Sequence, residues 1–418
     1  MDSAQTPTVG APPQGGRIPD PAAATARAVR AFLFGNFVIG TGVLVVPGML
    51  GQLASGLGVS VPTAGQLIGL AALVMCVGAP VLAALTSRVE RRRLLVAALV
   101  LYSAGHLGCA LAPGYASLAA VRVATVVGAA AFTPQAAATI GAIAPPDRRA
   151  AGVTAIFLGW SVASVAGMPL SGIVAARYGW QGSFVAVALL SAAAAAWVAR
   201  VVPAGVTVAP LSPASWKAVL GDRRSRIVLA VTLASSAGQF TLFSYVAPAL
   251  RELTGQAANG VAGLLALFGA FGIVGNAWIS RRIGALGPDR AVFRSLALML
   301  AGMSTWAVAR AVPALTWPAL LASIALWGLG CFAANSAQQA RLVALAPPLA
   351  SASIALNTSS IYAGQAIGAA LGGALIRGFG LAPLATVGAA IMAGALLLSA
   401  RVGSGVPAGT PLTRSAEG

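Results

Sequence analysis

Thr86–Leu95, TSRVERRRLL, places four arginines and one glutamate between two apolar runs, each long enough to cross a bilayer. Charged residues fill only 8% of the 418 positions, so this concentration marks a loop between two buried segments. Outward from that loop the chain stays apolar, with 58% hydrophobic residues and a mean hydropathy of +0.88. Charged residues stand at about a third of the usual fraction in soluble domains. The chain therefore reads as an integral membrane protein, with the lipid bilayer as its first partner. Apolar stretches of roughly 20 residues, without strand alternation, predict helices rather than a barrel. A net charge of +18 would suggest nucleic acid in a soluble chain. Here the arginines lie in short loops, topology accounts for them, and no nucleic-acid partner is expected.

Cys76, Cys109 and Cys331 fall inside apolar runs with no pair at metal spacing, so they read as small packing residues. Neither a metal nor another cofactor is expected. One lysine, Lys217, against twenty-five arginines, with abundant Ala and Gly, points to a GC-rich bacterial genome. Met1–Ala24 is rich in Pro, Ala and Gly and lacks an apolar signal-peptide core. It reads as the start of a disordered cytoplasmic tail reaching residue 28, and the first span then acts as its own uncleaved signal.

Twelve spans follow, at about 31–53, 62–85, 94–112, 115–140, 151–176, 182–201, 226–248, 258–280, 291–312, 316–341, 351–376 and 381–400. With the N-terminus inside, 21 of the 26 basic residues lie in the cytoplasm. Only Arg177, Arg251, Arg310 and Arg377 lie outside, and Arg122 falls within a span. This positive-inside asymmetry supports both the span count and a bacterial inner-membrane orientation with both termini cytoplasmic. The longest connection, 202–225, divides the chain into halves at 29–201 and 226–401, and 402–418 forms a second cytoplasmic tail.

The halves resemble each other. Ala144-Pro145-Pro146 before span five recurs as Ala346-Pro347-Pro348 before span eleven. Gly167 and Gly172 recur as Gly368 and Gly373, and Arg177 and Arg377 close the two segments. Three landmarks in one order indicate duplication, and duplicated six-helix halves point to a transporter with its ligand site between them. The opening stretch is then the cytoplasmic hairpin between spans two and three, matched by Ser280–Arg290, SRRIGALGPDR. Both loops read either as stop-transfer charges or as gate elements docking on helix C-termini, whose carbonyls are partly negative.

These residues resemble the major facilitator superfamily, specifically its twelve-span drug:proton antiporter branch, over about residues 28–400. The resemblance implies an all-α membrane protein, two pseudosymmetric six-helix bundles, and alternating access. The family's loop-two motif, Gly-x-Leu-Ala-Asp-Arg-x-Gly-Arg-Arg, falls on Leu82–Arg92. The arginines Arg88, Arg91 and Arg92 match, whereas Ser87 takes the Asp position and Glu90 the Gly position, where it supplies a nearby carboxylate. The fourth-span motif falls on Arg122–Ala130, and the fifth-span antiporter motif on Gly159 through Gly167-Met168-Pro169-Leu170-Ser171-Gly172. Glycines on one face let helices approach closely and Pro169 bends the span, so Gly167, Pro169 and Gly172 are expected at the gate. Gly78–Arg88 and Gly58–Leu67 most resemble chloramphenicol- and arabinose-type efflux proteins.

The eight acidic residues all fall in tails, loops or span ends: Asp2, Asp20, Glu90, Asp147, Asp222, Glu252, Asp289 and Glu417. Many relatives carry an acid in span one after Gly-Thr, where this chain has Val43 after Gly40-Thr41-Gly42. A proton-coupled pump needs a buried group that gains and loses a proton. His106, the single histidine, lies in span three and is the coupling candidate. Glu252 sits at an outer span end, and Arg122 stays charged, so it must face the cavity or pair with carbonyls.

Polar side chains in spans should point inward. The resemblance puts spans one, four, seven and ten at the cavity. These offer Asn36 and Thr41, Arg122 and Gln135, Gln239 and Ser244, and Asn335 with Gln338 and Gln339. Phe243 adds an aromatic beside Gln239, and Trp160 of span five an apolar wall. Amides and aromatics with one cation suit a neutral or anionic amphiphile. The expected function is export of small organic molecules by a monomer using protons as the coupling ion. The rival is an uncoupled facilitator, or an importer of a sugar or nucleoside-like solute. A membrane enzyme fares badly, for no metal pair, intramembrane Asp dyad or Ser-His-Asp set is present. A sensor would be expected to carry a sizeable soluble domain, and none is visible.

Overall fold

The computed structural model describes residues 21–86, 88–145, 149–207, 213–346 and 349–403. No strand occurs among them. The first half holds α1 (Pro21–Gly48), α2 (Leu50–Gly56), α3 (Val61–Leu85), α4 (Arg91–Ala110), α5 (Tyr115–Ile143), α6 (Arg149–Val162) and α7 (Met168–Val201). Helix α8 (Pro213–Gly221) belongs to the connection. The second half holds α9 (Arg223–Phe243), α10 (Val246–Thr254), α11 (Ala258–Leu286), α12 (Pro288–Ala311), α13 (Thr316–Leu345), α14 (Ala350–Phe379) and α15 (Leu384–Gly403).

Among the described residues, eleven stretches are long and apolar enough to cross a membrane, where the sequence predicts twelve. The difference lies in spans five and six, which run together as Ala155–Val201, 47 residues. As one rod they would measure about 70 Å, more than twice the hydrocarbon core. They form a hairpin instead. Gly179, at φ 77° and ψ 163°, turns the chain in a conformation that a side chain would strain. Across the bend the Ser183 hydroxyl donates to the Ser171 carbonyl at 2.8 Å. Just before it, a π turn at Ala163–Gly167 precedes Pro169, which lacks the N–H needed to continue the regular ladder.

The duplication is visible as packing. Gly167 sits where a Cβ would collide with Thr41 of α1, and Gly172 lies on the Gly48 carbonyl. In the second half, Gly368 lies on the Ala237 carbonyl of α9 and Gly373 against the Tyr245 hydroxyl. Each glycine pair lets the fifth span of its half close on the first. The halves meet along two seams, α3 against α14 and α11 against α6, the π turn and α7. At the end away from the basic loops, α10 reaches α1 and α2. There Tyr245, fully buried, donates to the Ala369 carbonyl at 2.8 Å and packs its ring on Gly65 of the first half.

Outside this core, Leu111, Leu189 and Phe379 stand exposed, as apolar side chains do where the solvent is lipid. At the basic end, Val219, Val228, Leu342, Ala352 and Val402 form a separate cluster with Trp216, so α8 caps the second half. Helix α1 starts earlier than expected. Residues 21–28, expected in the tail, are helical, and the Thr25 hydroxyl donates to the Ile143 carbonyl at 3.3 Å. Residues 1–20 and 404–418 lie outside the described residues.

Candidate functional site

Arg122 on α5 projects toward α1 and is buried. Its Nη2 donates to the Gly42 carbonyl at 3.2 Å and the Val43 carbonyl at 3.4 Å, while its Nε and Nη1 have no hydrogen-bond partner. The guanidinium lies 6.0 Å from the centre of the Phe184 ring. His106 on α4 joins the same cluster, its Nδ1 on the Tyr102 carbonyl at 2.8 Å and its Nε2 without a partner. Tyr102 donates to the Ile39 carbonyl at 2.9 Å and packs edge-on against the His106 ring. All of this closes around Gly42, where any Cβ would collide with the Tyr102 hydroxyl and His106 Nε2. The Tyr102 and His106 side chains therefore reach α1 over a glycine. His106 lies about one turn from the far end of α4 and Arg122 about two turns from that end of α5. The cluster thus belongs to the half of the membrane opposite the basic loops.

The other candidates divide. Asn36 is engaged at both ends, donating to the Ile156 carbonyl at 2.9 Å and accepting from Thr133 at 2.8 Å. Thr41 bonds back to the Phe37 carbonyl at 2.7 Å and packs on Gly167. Both were expected on a cavity wall. They are buried inside the first bundle, where α1 packs closely on α6 and α7. Phe243, also expected on a cavity wall, is buried in an aromatic cluster with Phe240, Phe268 and Trp327. Gln135, expected at the cavity, accepts from Arg91 Nη1 at 2.7 Å near the basic end.

Four candidates keep open surface. Trp160 is half-buried, with its Nε1 3.4 Å from the Thr133 hydroxyl. Gln239 is half-buried and donates to the Cys331 sulfur at 3.1 Å. Asn335 is exposed, one turn beyond Cys331 on α13, and accepts from Gln339 at 3.4 Å.

The gate candidates divide as well. Ser87 lies outside the described residues, and Arg88 is exposed. Glu90 accepts from the Gly205 amide at 3.2 Å and pairs with Arg93 at 3.3 Å. The Arg91 amide donates to the Val206 carbonyl at 2.9 Å, and its guanidinium reaches Gln135 and the Thr86 carbonyl. The loop between α3 and α4 is thereby strapped to the connection that follows α7, while Arg92 is half-exposed beside it. In the second half Asp289 pairs with Arg341, which also donates to the Ser399 hydroxyl at 3.1 Å. Both halves thus tie the start of their third span to the basic end of their fourth.

Sequence reasoning placed α14 as span eleven but missed its polar run. Asn357-Thr358-Ser359-Ser360, four polar residues inside an apolar span, was the available signal. Asn357 accepts from Thr232, which in turn accepts from Gln338. Ser359 crosses the seam to the Cys76 carbonyl of α3 at 2.9 Å. Tyr362, a turn further on, is half-buried beside that seam.

Residues 32–297 match the family model described as Major Facilitator Superfamily. The inner membrane transport protein YdhP of Escherichia coli K12 is 30% identical over 88% of this chain and 94% of its own length. A chloramphenicol resistance protein of Streptomyces lividans is 30% identical over 77% and 83%. Among solved structures, the nucleoside transporter NupG superposes with a TM-score of 0.71 at 11% identity, covering 91% of this chain and 99% of that one.

Proposed function

The chain belongs to the major facilitator superfamily of transporters, and from that premise we propose that it exports small organic molecules across the bacterial inner membrane by proton-coupled antiport. Both termini are cytoplasmic in this reading, and the working unit is a monomer, since one chain supplies both bundles. The observation that carries the reading is the buried His106–Arg122 cluster at the end away from the basic loops. With Tyr245 seated on Gly65 that end is closed, and His106 is sealed from water. When the far end opens, His106 takes a proton from the outside face, and Arg122 repels the charge it gains. When that end closes again, the proton is driven off toward the cytoplasm. Substrate meets Trp160, Gln239, Asn335, Gln339 and Tyr362, a wall of amides and aromatics without a carboxylate, which suits a neutral or anionic amphiphile. The chloramphenicol resistance protein among the relatives makes that drug the first probe.

The test is reconstitution in liposomes with an imposed pH gradient. The wild type is expected to accumulate chloramphenicol against its gradient. His106→Gln should lower that accumulation at least tenfold while downhill exchange persists. Flux that ignores the gradient and survives His106→Ala would instead support an uncoupled facilitator. That second reading is favoured by one fact: the described acids Glu90, Asp222, Glu252 and Asp289 all lie in loops or at helix ends.

A further inference from the structure

On the membrane-facing side of the first half, α4 and α7 pack side by side and leave along their seam a groove of about 410 Å³. Val96, Val100, Ser103 and Leu107 form one wall, and Ala192, Ala195, Ala196 and Ala199 form the other. The groove exists because one wall is alanine: four methyl groups cannot fill the space that larger side chains occupy elsewhere between spans. Its one hydroxyl is already engaged, since Ser103 donates to the Ala188 carbonyl at 2.8 Å. Nothing in it offers a hydrogen bond, so its occupant at this depth is hydrocarbon. From Val96 to Leu107 the groove runs about 16 Å, close to the thickness of one leaflet's hydrocarbon.

The basic end of the groove is charged. Arg92 and Arg93 precede Val96 by four and three residues, so both flank the face that Val96, Val100 and Leu107 present. Arg93 is 86% exposed, and its partner Glu90 also accepts from Gly205. Arg200 follows Ala196 by one turn and donates to the Ala196 carbonyl at 3.3 Å, which lays its guanidinium over the end of the groove. Three arginines and one shared carboxylate leave a net positive mouth above an apolar trough of leaflet length.

We propose that this groove binds one anionic phospholipid of the leaflet on the basic side, its acyl chain along the alanine wall and its phosphate against Arg92, Arg93 and Arg200. The site is distinct from the substrate wall, because it faces outward from the bundle, and it stands whether or not transport is proton-coupled. Its phosphate competes with Glu90 for Arg93, so occupancy bears on the strap that holds the loop before α4.

Native mass spectrometry of the full-length protein, released from detergent with phosphatidylglycerol or phosphatidylcholine, tests this directly. The wild type should retain one phosphatidylglycerol at least fivefold more than phosphatidylcholine. Ala196→Trp, which fills the exposed trough, should abolish retention of that lipid. The triple variant Arg92→Gln, Arg93→Gln, Arg200→Gln should remove the headgroup preference while one lipid of either kind still binds. Equal retention by wild type and Ala196→Trp, or a preference that survives the triple substitution, overturns the proposal. Melting temperature without added lipid separates a folding defect, and Leu189→Trp, on an exposed position outside the groove, should leave retention unchanged.

Discussion

Arg91 and Arg341 are both almost fully buried at the basic end, one in each half. Arg341 has a carboxylate, Asp289, and Arg91 reaches the side-chain oxygen of Gln135. Removing the charge from Asp289 leaves Arg341 buried with Ser399 as its partner among the described residues. Because Asp289 is itself 38% exposed, the expected loss for Asp289→Asn is well below that of a fully buried pair, about 1–2 kcal/mol. It should appear as a lower melting temperature in detergent, and Arg341→Met in the same background should recover part of it. The two arginines were legible as loop charges. That one folds back into its bundle onto Gln135 was not, because the partners lie 44 residues apart. Only packing of α4 on α5 brings them together.

At the scale of single helices, the start of α9 depends on Asp222, whose carboxylate accepts from the Ser225 amide at 2.7 Å. Hydrogen bonds from the Ser225 amide and hydroxyl hold this carboxyl below the usual range. A group depressed on folding stabilises above its unfolded value, near 3.9, and loses that contribution as pH falls through its lower folded value. Asp222→Ala is expected to cost about 1 kcal/mol, whereas Asp222→Asn should keep most of the cap and flatten the acid limb of a melting-temperature profile. The bend in α7 makes a second prediction. Gly179→Ala forces a side chain into φ 77° and should cost about 1–3 kcal/mol, read as lower melting temperature and folded yield. The sequence places a loop at Arg177–Gly179 by its charge. It does not give the geometry of the turn between the two spans, which is set by a backbone angle and a Ser171–Ser183 contact.

For the whole molecule, the far-end closure rests on a ring seated on a glycine. Gly65→Val would drive α3 away from Tyr245 and should hold that end open. The reporter is Gln52→Cys, introduced after replacing Cys76, Cys109 and Cys331. Gln52 lines a far-end pocket of about 60 Å³ shared with Ala258 and Val261 of α11, too small for a bulky maleimide. Labelling by a membrane-impermeant maleimide should rise several-fold in the Gly65→Val background, and transport should fall. Unchanged labelling would show that this ring and glycine do not hold the two halves together.

Composition and periodicity alone determined that the chain is helical and membrane-embedded, because burying so many apolar residues in water-free surroundings depends on each segment's own makeup. The internal repeat pointed to two halves, because the same glycines recur wherever one span closes on another. Tertiary structure alone decided which polar residues stay available. Asn36 and Gln135 carry the same amide as Gln239 and Asn335, and nothing in a single sequence tells an amide that ties helices from one left open. That choice is made by what the neighbouring helix presents, and neighbours are fixed only when all the spans pack.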